Sequence, residues 1–478
     1  MRLIRTQSNS ASRREFLKRA TALGTLGAAA PFALNLAGIG SAAAQAAPTD
    51  YKALVCVFLN GGNDHNNTVI PYDVGSHAGY AAARGGTVST GGIALDRASL
   101  LEIVPATSQG SGRQFALSAE LAPLQSLFAL GKAAVVANVG PLITPITNAA
   151  QYRAGTVATP PKLFSHNDQT ATWQAFSPEG GKVGWGGRLG DMFASANSNA
   201  LFTAISASGN ALFLSGQDIF QYQVSTSGAT AINGTNSTNL FGSGNGANSG
   251  ANVLKSLIQQ GSSNMLEQDH ASVVGRSVGA ASLISSSLAS VPATDARVAL
   301  GTQSGNRLAQ QLQIVARLIA VNSTLGAKRQ VFFVSIGGFD THDNQIISQA
   351  ALHTQLAGAI DYFYKATVAL GVSNQTTLFT SSEFGRTLSS NGDGSDHGWG
   401  SHHFVVGGAV KGGDIYGTFP VVALGTTDDV GSGRLLPSSS VDQYASTMAK
   451  WFGVGDSNLN LIAPNIGNFA TRDMGFMT

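Results

Sequence analysis

Gln330-Val331-Phe332-Phe333-Val334-Ser335-Ile336, running directly into Gly337-Gly338-Phe339-Asp340-Thr341-His342, is the stretch on which the fold turns. An almost unbroken run of β-branched and aromatic residues, stopped by two glycines, describes a strand buried on both faces; a half-exposed strand would alternate. Residues 52–59, 133–139 and 376–380 have the same character, and 404–406 is a shorter candidate. Between them Leu308, Leu312, Val315 and Ile319, and likewise Leu352, Leu356, Ile360 and Phe363, recur at helical spacing. Strands alternating with helices predict an α/β fold: a doubly wound, largely parallel sheet with helices on both faces.

The chemistry collects where those strands end. Asp64, Asp340 with His342, and Glu383 each lie just beyond a predicted strand, the edge at which open α/β sheets bind ligands. Five of the nine histidines fall between His342 and His403, although only 11% of the chain is charged. Asp396-His397-Gly398 and the pair His402-His403 complete the group, and adjacent residues of an extended segment point opposite ways, so His402 alone is taken as a ligand. Carboxylates mixed with imidazoles are the ligand set of zinc and similar divalent metals. The expected ligands are Asp64, Asp340, His342, Glu383, Asp396, His397 and His402. The expected cofactor is one or two divalent ions: zinc first, with calcium, magnesium or manganese as alternatives. Ser165 opens a helix-like stretch and reads either as its N-cap or as a nucleophilic hydroxyl beside the metal. Arg386 is the candidate for steadying a charged substrate group through paired hydrogen bonds.

The first 46 residues stand apart. Ser12-Arg13-Arg14-Glu15-Phe16-Leu17-Lys18 precedes an Ala/Gly-rich apolar run that ends near Ala44-Gln45-Ala46. A basic segment, an apolar segment and a small-x-small cleavage site make an export signal, here of the twin-arginine type. Pro31, Asn35 and scattered glycines suit it poorly to a bilayer span. Removing it leaves 22 basic and 25 acidic residues. A near-neutral remainder offers no case for nucleic acid or an anionic membrane as partner. The lone Cys56 excludes an internal disulfide and a cysteine zinc cluster. One domain is expected over 47–478. It carries a polar, Gly/Ser/Asn-rich insertion at about 195–263, too long for an ordinary connection.

Several segments, in order, resemble an exported bacterial family called domain of unknown function 1501. They are Phe58-Leu59-Asn60-Gly61-Gly62-Asn63-Asp64, Ser165-His166, Val183-Gly184-Trp185-Gly186-Gly187-Arg188 and Gly338-Phe339-Asp340-Thr341-His342. Ser382-Glu383-Phe384-Gly385-Arg386-Thr387, Asp396-His397-Gly398, Gly407-Gly408 and Lys411-Gly412-Gly413 continue the match. The family is similar to the alkaline phosphatase and sulfatase superfamily, in which a doubly wound sheet holds two divalent metals. The resemblance implies that Asp64 is the first-strand ligand and that Asp340 and His342 form the aspartate–histidine pair of one metal. Glu383 would replace the aspartate after a later strand, and His397 or His402 would be the last histidine. The chain lacks the Cys/Ser-x-Pro-x-Arg context that formylglycine sulfatases need.

These readings lead to an exported metal-dependent hydrolase of phosphate or related esters, periplasmic or secreted. Its expected partners are a small or polymeric ester and, during export, the twin-arginine translocase. The rival is a non-catalytic secreted binding or surface protein that keeps one structural metal.

Overall fold

Strand β1, Lys52–Asn60, buries Ala53–Leu59 at no more than 2% exposure each, as a continuous apolar run between two covered faces requires. Its side chains alternate between two separate clusters. Ala53, Val55, Val57 and Leu59 join one with Leu308, Leu312, Leu356 and Ile360; Leu54, Cys56 and Phe58 join the other with Leu189, Tyr444 and Met448. Each fully buried Val, Leu or Phe here contributes about 1.5–3 kcal/mol. The computed structural model that shows this describes residues 48–478 apart from 111, 236, 238, 239 and 241–248. Pro48–Thr478 form one compact unit, and the twin-arginine reading falls on residues outside those described.

The other strands of the ten-stranded central sheet are, in chain order, β2 (Ala133–Gly140), β3 (Ala204–Ser206), β4 (Tyr222–Ser225) and β5 (Gly228–Ala229). They continue with β6 (Arg329–Gly337), β7 (Thr376–Ser381), β8 (Ser401–Gly407), β9 (Ile415–Tyr416) and β10 (Ser439–Ser440). Across the sheet the order is β9-β2-β8-β7-β1-β6-β3-β4-β5, with β10 also beside β2. β1 pairs in parallel with both β6 and β7, bringing Asn60 level with Gly337 and Phe58 level with Ser381. Only β8 and β5 run against their neighbours, so the sheet is mixed but largely parallel. The ends of β1, β6 and β7 and the start of β8 therefore share one edge.

Helices packed on the two faces of the sheet include α1 (His166–Ala175), α2 (Trp185–Phe193), α3 (Arg307–Ala320), α4 (Gln345–Ala369) and α5 (Val441–Phe452). The predicted apolar positions of α3, Leu308, Leu312, Val315 and Ile319, are all buried, and Asn306 caps it by accepting from the Leu308 and Ala309 amides. α5 starts with a reciprocal capping box between Ser440 and Gln443.

The stretch at about 195–263 is not simply an insertion. Its first part supplies β3, β4 and β5, and Ile205 is fully buried opposite Phe332 of β6. Strands of two to four residues are too short to register against the surrounding Gly, Ser and Asn.

Candidate metal centre

Asp340 sits at the hub of the sheet edge, on the turn after β6. Three imidazoles approach its carboxylate through their Nε2 atoms. His342 lies 3.1 Å and His397 3.3 Å from Oδ1, and His166 lies 3.4 Å from Oδ2. The Nε2 atoms of His342 and His397 are 3.0 Å apart. Ligand atoms of His166, Asp340 and His397 all fall within 4.8 Å of one another.

The far side of each ring explains what those Nε2 atoms are. His397 Nδ1 lies 2.8 Å from the Phe164 carbonyl oxygen, which can only accept, so Nδ1 carries the proton. His166 Nδ1 donates to Glu383 Oε1 at 3.0 Å, and His342 Nδ1 to Asp396 Oδ1 at 3.2 Å. Three Nε2 atoms therefore converge on one carboxylate, each from a ring whose Nδ1 already faces an acceptor. At such spacing a protonated Nε2 donates to the carboxylate, and a deprotonated one can share a cation with it. Ligand atoms about 2.0–2.1 Å from a tetrahedral metal are separated by about 3.3 Å, so the residues fit a metal of zinc's size. Histidine ligands oriented from behind by a carboxylate or carbonyl are the usual second layer of such sites.

The segment 382–386 builds the support. Glu383, only 4% exposed at its side chain, also accepts the Gly61 amide at 2.7 Å and the Ser382 hydroxyl at 3.3 Å. The Phe384 ring stacks on His397 at 4.5 Å between centroids and touches His166 at 4.9 Å. Arg386, wholly buried, donates from Nη2 to Asp340 Oδ1 at 2.9 Å, while its Nε and Nη1 have no partner among the described residues. Gly61 adopts φ +117°, and a Cβ there would stand 2.3 Å from the Asp340 amide nitrogen. Only glycine lets the β1 and β6 turns close this tightly.

Electrostatics follow from these contacts. The hydrogen bond to Glu383 raises the His166 pKa, with burial opposing it. Burial lowers that of His397, against the Phe164 carbonyl, so this ring stays neutral near pH 7. For Asp340 burial acts upward, but Arg386 and then the three histidines outweigh it and the pKa falls.

The structure thus brings Asp340, His342 and His397 together, with Glu383, Asp396 and Arg386 behind them as supports. Two expected ligands lie elsewhere. Asp64 is wholly buried with Oδ2 2.5 Å from both Arg84 Nη2 and Gln345 Nε2, while Oδ1 accepts from the Asn66 amide. Both of its oxygens are thereby engaged away from the histidine cluster. His402 accepts the Asn138 amide at Nδ1, stacks on Phe419 and meets His65 edge-on. Burial holds its pKa well below the usual value. Ser165 does precede α1, but its hydroxyl donates to Asp168 at 2.9 Å and caps no amide. The residue missed in the sequence is His166, first in α1. The Ser165-His166 segment was singled out for its hydroxyl, and the imidazole next to it stands far in sequence from the other histidines.

The fold and site define an α/β protein with an open histidine–carboxylate cluster at the edge of a largely parallel sheet. A family model described as "Protein of unknown function (DUF1501)" matches residues 51–450, and the chain belongs to that family. No curated protein and no solved structure matches it.

Proposed function

We propose that the protein is an exported metal-dependent hydrolase of phosphate or related esters, with an alkaline-phosphatase-like arrangement of sheet and site. The observation that carries this reading is the convergence of the His166, His342 and His397 Nε2 atoms on the Asp340 carboxylate, each ring held from behind. His166, Asp340 and His397, with His342 as the fourth, would hold the metal. A set this rich in imidazole favours zinc over calcium or magnesium, which take oxygen ligands. Such an ion supplies Lewis acidity to the ester oxygen and to an attacking water. Water is the proposed nucleophile, because the Ser165 hydroxyl is committed to Asp168.

Exposure supports this reading over a closed structural metal. Asp340 and His342 are each 44% exposed and His166 35%, so the ligand atoms face solvent. Structural zinc sites are closed, whereas catalytic ones keep a position open. A cleft of about 590 Å³ adjoins His166 and is lined in part by Asn60, Asn167, Thr170, Glu179 and Leu212. That size is ample for a small organic group. Amides, a hydroxyl and the carboxylates of Glu179 and Glu383, with no Lys or Arg in the lining, suit a neutral hydroxyl-bearing alcohol better than a polyanion.

The test is metal analysis of protein purified after export, followed by assays on a phosphate monoester, a phosphate diester and a sulfate ester with and without added zinc. About one bound metal and zinc-restored turnover are expected, both lost in Asp340→Asn. Absence of metal together with no turnover of any ester overturns the proposal. Arg13→Lys with Arg14→Lys should hold the chain in the cytoplasm, and normal export of that variant would remove the twin-arginine route.

A further inference from the structure

Two of the three histidines depend on supports that are far apart in sequence. His397 is oriented by the Phe164 carbonyl and His166 by the Glu383 carboxylate. One side chain touches both supports. Gln169, 1% exposed on α1, accepts the Phe164 amide with Oε1 and donates from Nε2 to the Glu383 carbonyl oxygen at 3.3 Å.

We propose that Gln169 is a positioning residue for the metal centre, a neutral clamp that fixes His166 and His397 in one mutual arrangement. The inference rests on the metal-site reading above. Its chemistry is specific: the position needs an acceptor toward the Phe164 N–H and a donor toward the Glu383 C=O. Only a carboxamide of this length offers both uncharged. A carboxylate would accept from Phe164 but face the Glu383 carbonyl without a proton to give. A thioether would fill the space and do neither.

The clamp also accounts for an unfavourable backbone. Phe164 adopts φ +70°, a left-handed conformation that a bulky side chain rarely takes. That conformation is maintained by Gln169 on its amide, by edge contact of its ring with Trp399 and by Arg434 lying 5.0 Å from the ring centre. It accompanies the presentation of the Phe164 carbonyl to His397. Backbone strain kept beside a cluster of ligands is what a preorganised site looks like. Phe384, stacked on His397 and in contact with His166, fixes the planes of the rings, while Gln169 ties down the backbone of the two residues that carry their acceptors.

The experiment compares zinc affinity, by competition with a chromophoric chelator, in the folded wild-type chain, Gln169→Met and Gln169→Glu. The visible spectrum of the cobalt-loaded forms and the melting temperature of the metal-free forms are read alongside. Loss of an outer support typically weakens metal binding 10–100-fold. Gln169→Met should fall by about that factor and shift the cobalt bands, and Gln169→Glu, keeping one of the two contacts, should fall less. Zinc affinity within twofold of wild type and an unchanged cobalt spectrum in Gln169→Met overturn the inference while leaving the metal site standing. A wild-type chain that binds neither ion overturns the metal reading and this inference with it. Should either variant fail to fold, nitrogen-15 spectra of the wild type decide. The Gln169 side-chain amide protons should resist exchange and shift on zinc addition, and an exchanging, unmoved pair would refute the clamp.

Discussion

Replacing Asp64 with alanine separates what the family resemblance implies from what the structure shows. Asp64 and Arg84 form an ion pair at 2.5 Å with both side chains wholly buried, and Gln345 Nε2 also lies 2.5 Å from the carboxylate. Removing one partner of such a pair strands the other charge in a region without water, at a cost of about 3–5 kcal/mol. Arg84 cannot escape by losing its proton, and its Nε already lacks a partner among the described residues. Against a total stability of roughly 5–15 kcal/mol the loss is severe. In urea the unfolding midpoint of Asp64→Ala should drop far, with the denaturant slope unchanged. Zinc affinity, measured where the variant is still folded, should stay close to wild type. Asp64→Leu combined with Arg84→Met should recover much of the stability, since buried pairs are often replaceable by apolar residues of similar size. Asp340→Asn should do the opposite. It keeps an acceptor for Arg386, so the midpoint moves less, but zinc binding collapses. An Asp64→Ala protein as stable as wild type and unable to bind zinc would refute this reasoning and return Asp64 to the ligands.

Ser165→Ala should cost about 1 kcal/mol through the lost bond to Asp168 and leave zinc affinity and turnover intact; abolished turnover at full zinc occupancy would restore the nucleophile reading. Asp442 is pushed up to about 7 by burial, with the Asn465 bonds and Arg188 opposing. Its folded pKa exceeds the unfolded value of 3.8, so the folded state holds the extra proton and stability falls as pH rises from about 4 to about 7. The slope is at most about 1.4 kcal/mol per pH unit, and Asp442→Asn should flatten that part of the stability–pH curve; an identical curve would show that Asp442 titrates normally. Cys56 is buried, and burial pushes its thiol up to about 12. It should therefore resist a disulfide reagent in the native protein and react only on unfolding; fast native labelling would contradict the packing of β1.

The fold was legible wherever strands are buried on both faces, because β1, β2 and β6 then appear as apolar runs with glycine at or just beyond their ends, and β7 as a short run of β-branched and apolar residues. β8 was legible only in its apolar half, residues 404–406, because its start carries Ser401, His402 and His403, which polarity assigns to a loop. Those residues are buried nonetheless, since the edge of the sheet closes over them. β3 to β5 were invisible because strands this short gain their stability from pairing with a neighbour and not from their own composition.

The residues of the candidate cluster were legible to the same depth, and what packs behind them was hidden for a related reason. Asp340, His342 and His397 are dense in sequence and lie near predicted strand ends, so chemistry and topology name them together. Whether a carboxylate at such an end faces a metal or a buried cation depends on what packs behind it. Arg84 lies 20 residues beyond Asp64 on a separate segment, and no pattern around Asp64 announces it. For His402 the alternation with His403 was sound, but the choice between facing the cluster and facing His65 and Phe419 is a tertiary one. His166 was overlooked because its value lies in Glu383, 217 residues away.

That dependence on distant supports carries a consequence for how the centre forms. Each contact that sets a histidine's proton crosses between elements: Phe164 to His397, Glu383 to His166, Asp396 to His342. Arg386 reaches Asp340 across 46 residues in the same way. None of these pairs is held by local chain geometry, so none persists in an unfolded chain. Closure of β1 against β6 and β7 is what aligns the turns that carry Asp340 and Glu383. The three Nε2 atoms acquire their common direction only after the sheet is complete, and the proposed metal affinity would therefore be a property of the folded edge. Bound metal should stabilise the native chain by mass action and leave the unfolded chain untouched. A chain proposed to cross the membrane already folded is suited to such a site, because the ligands and their supports arrive assembled.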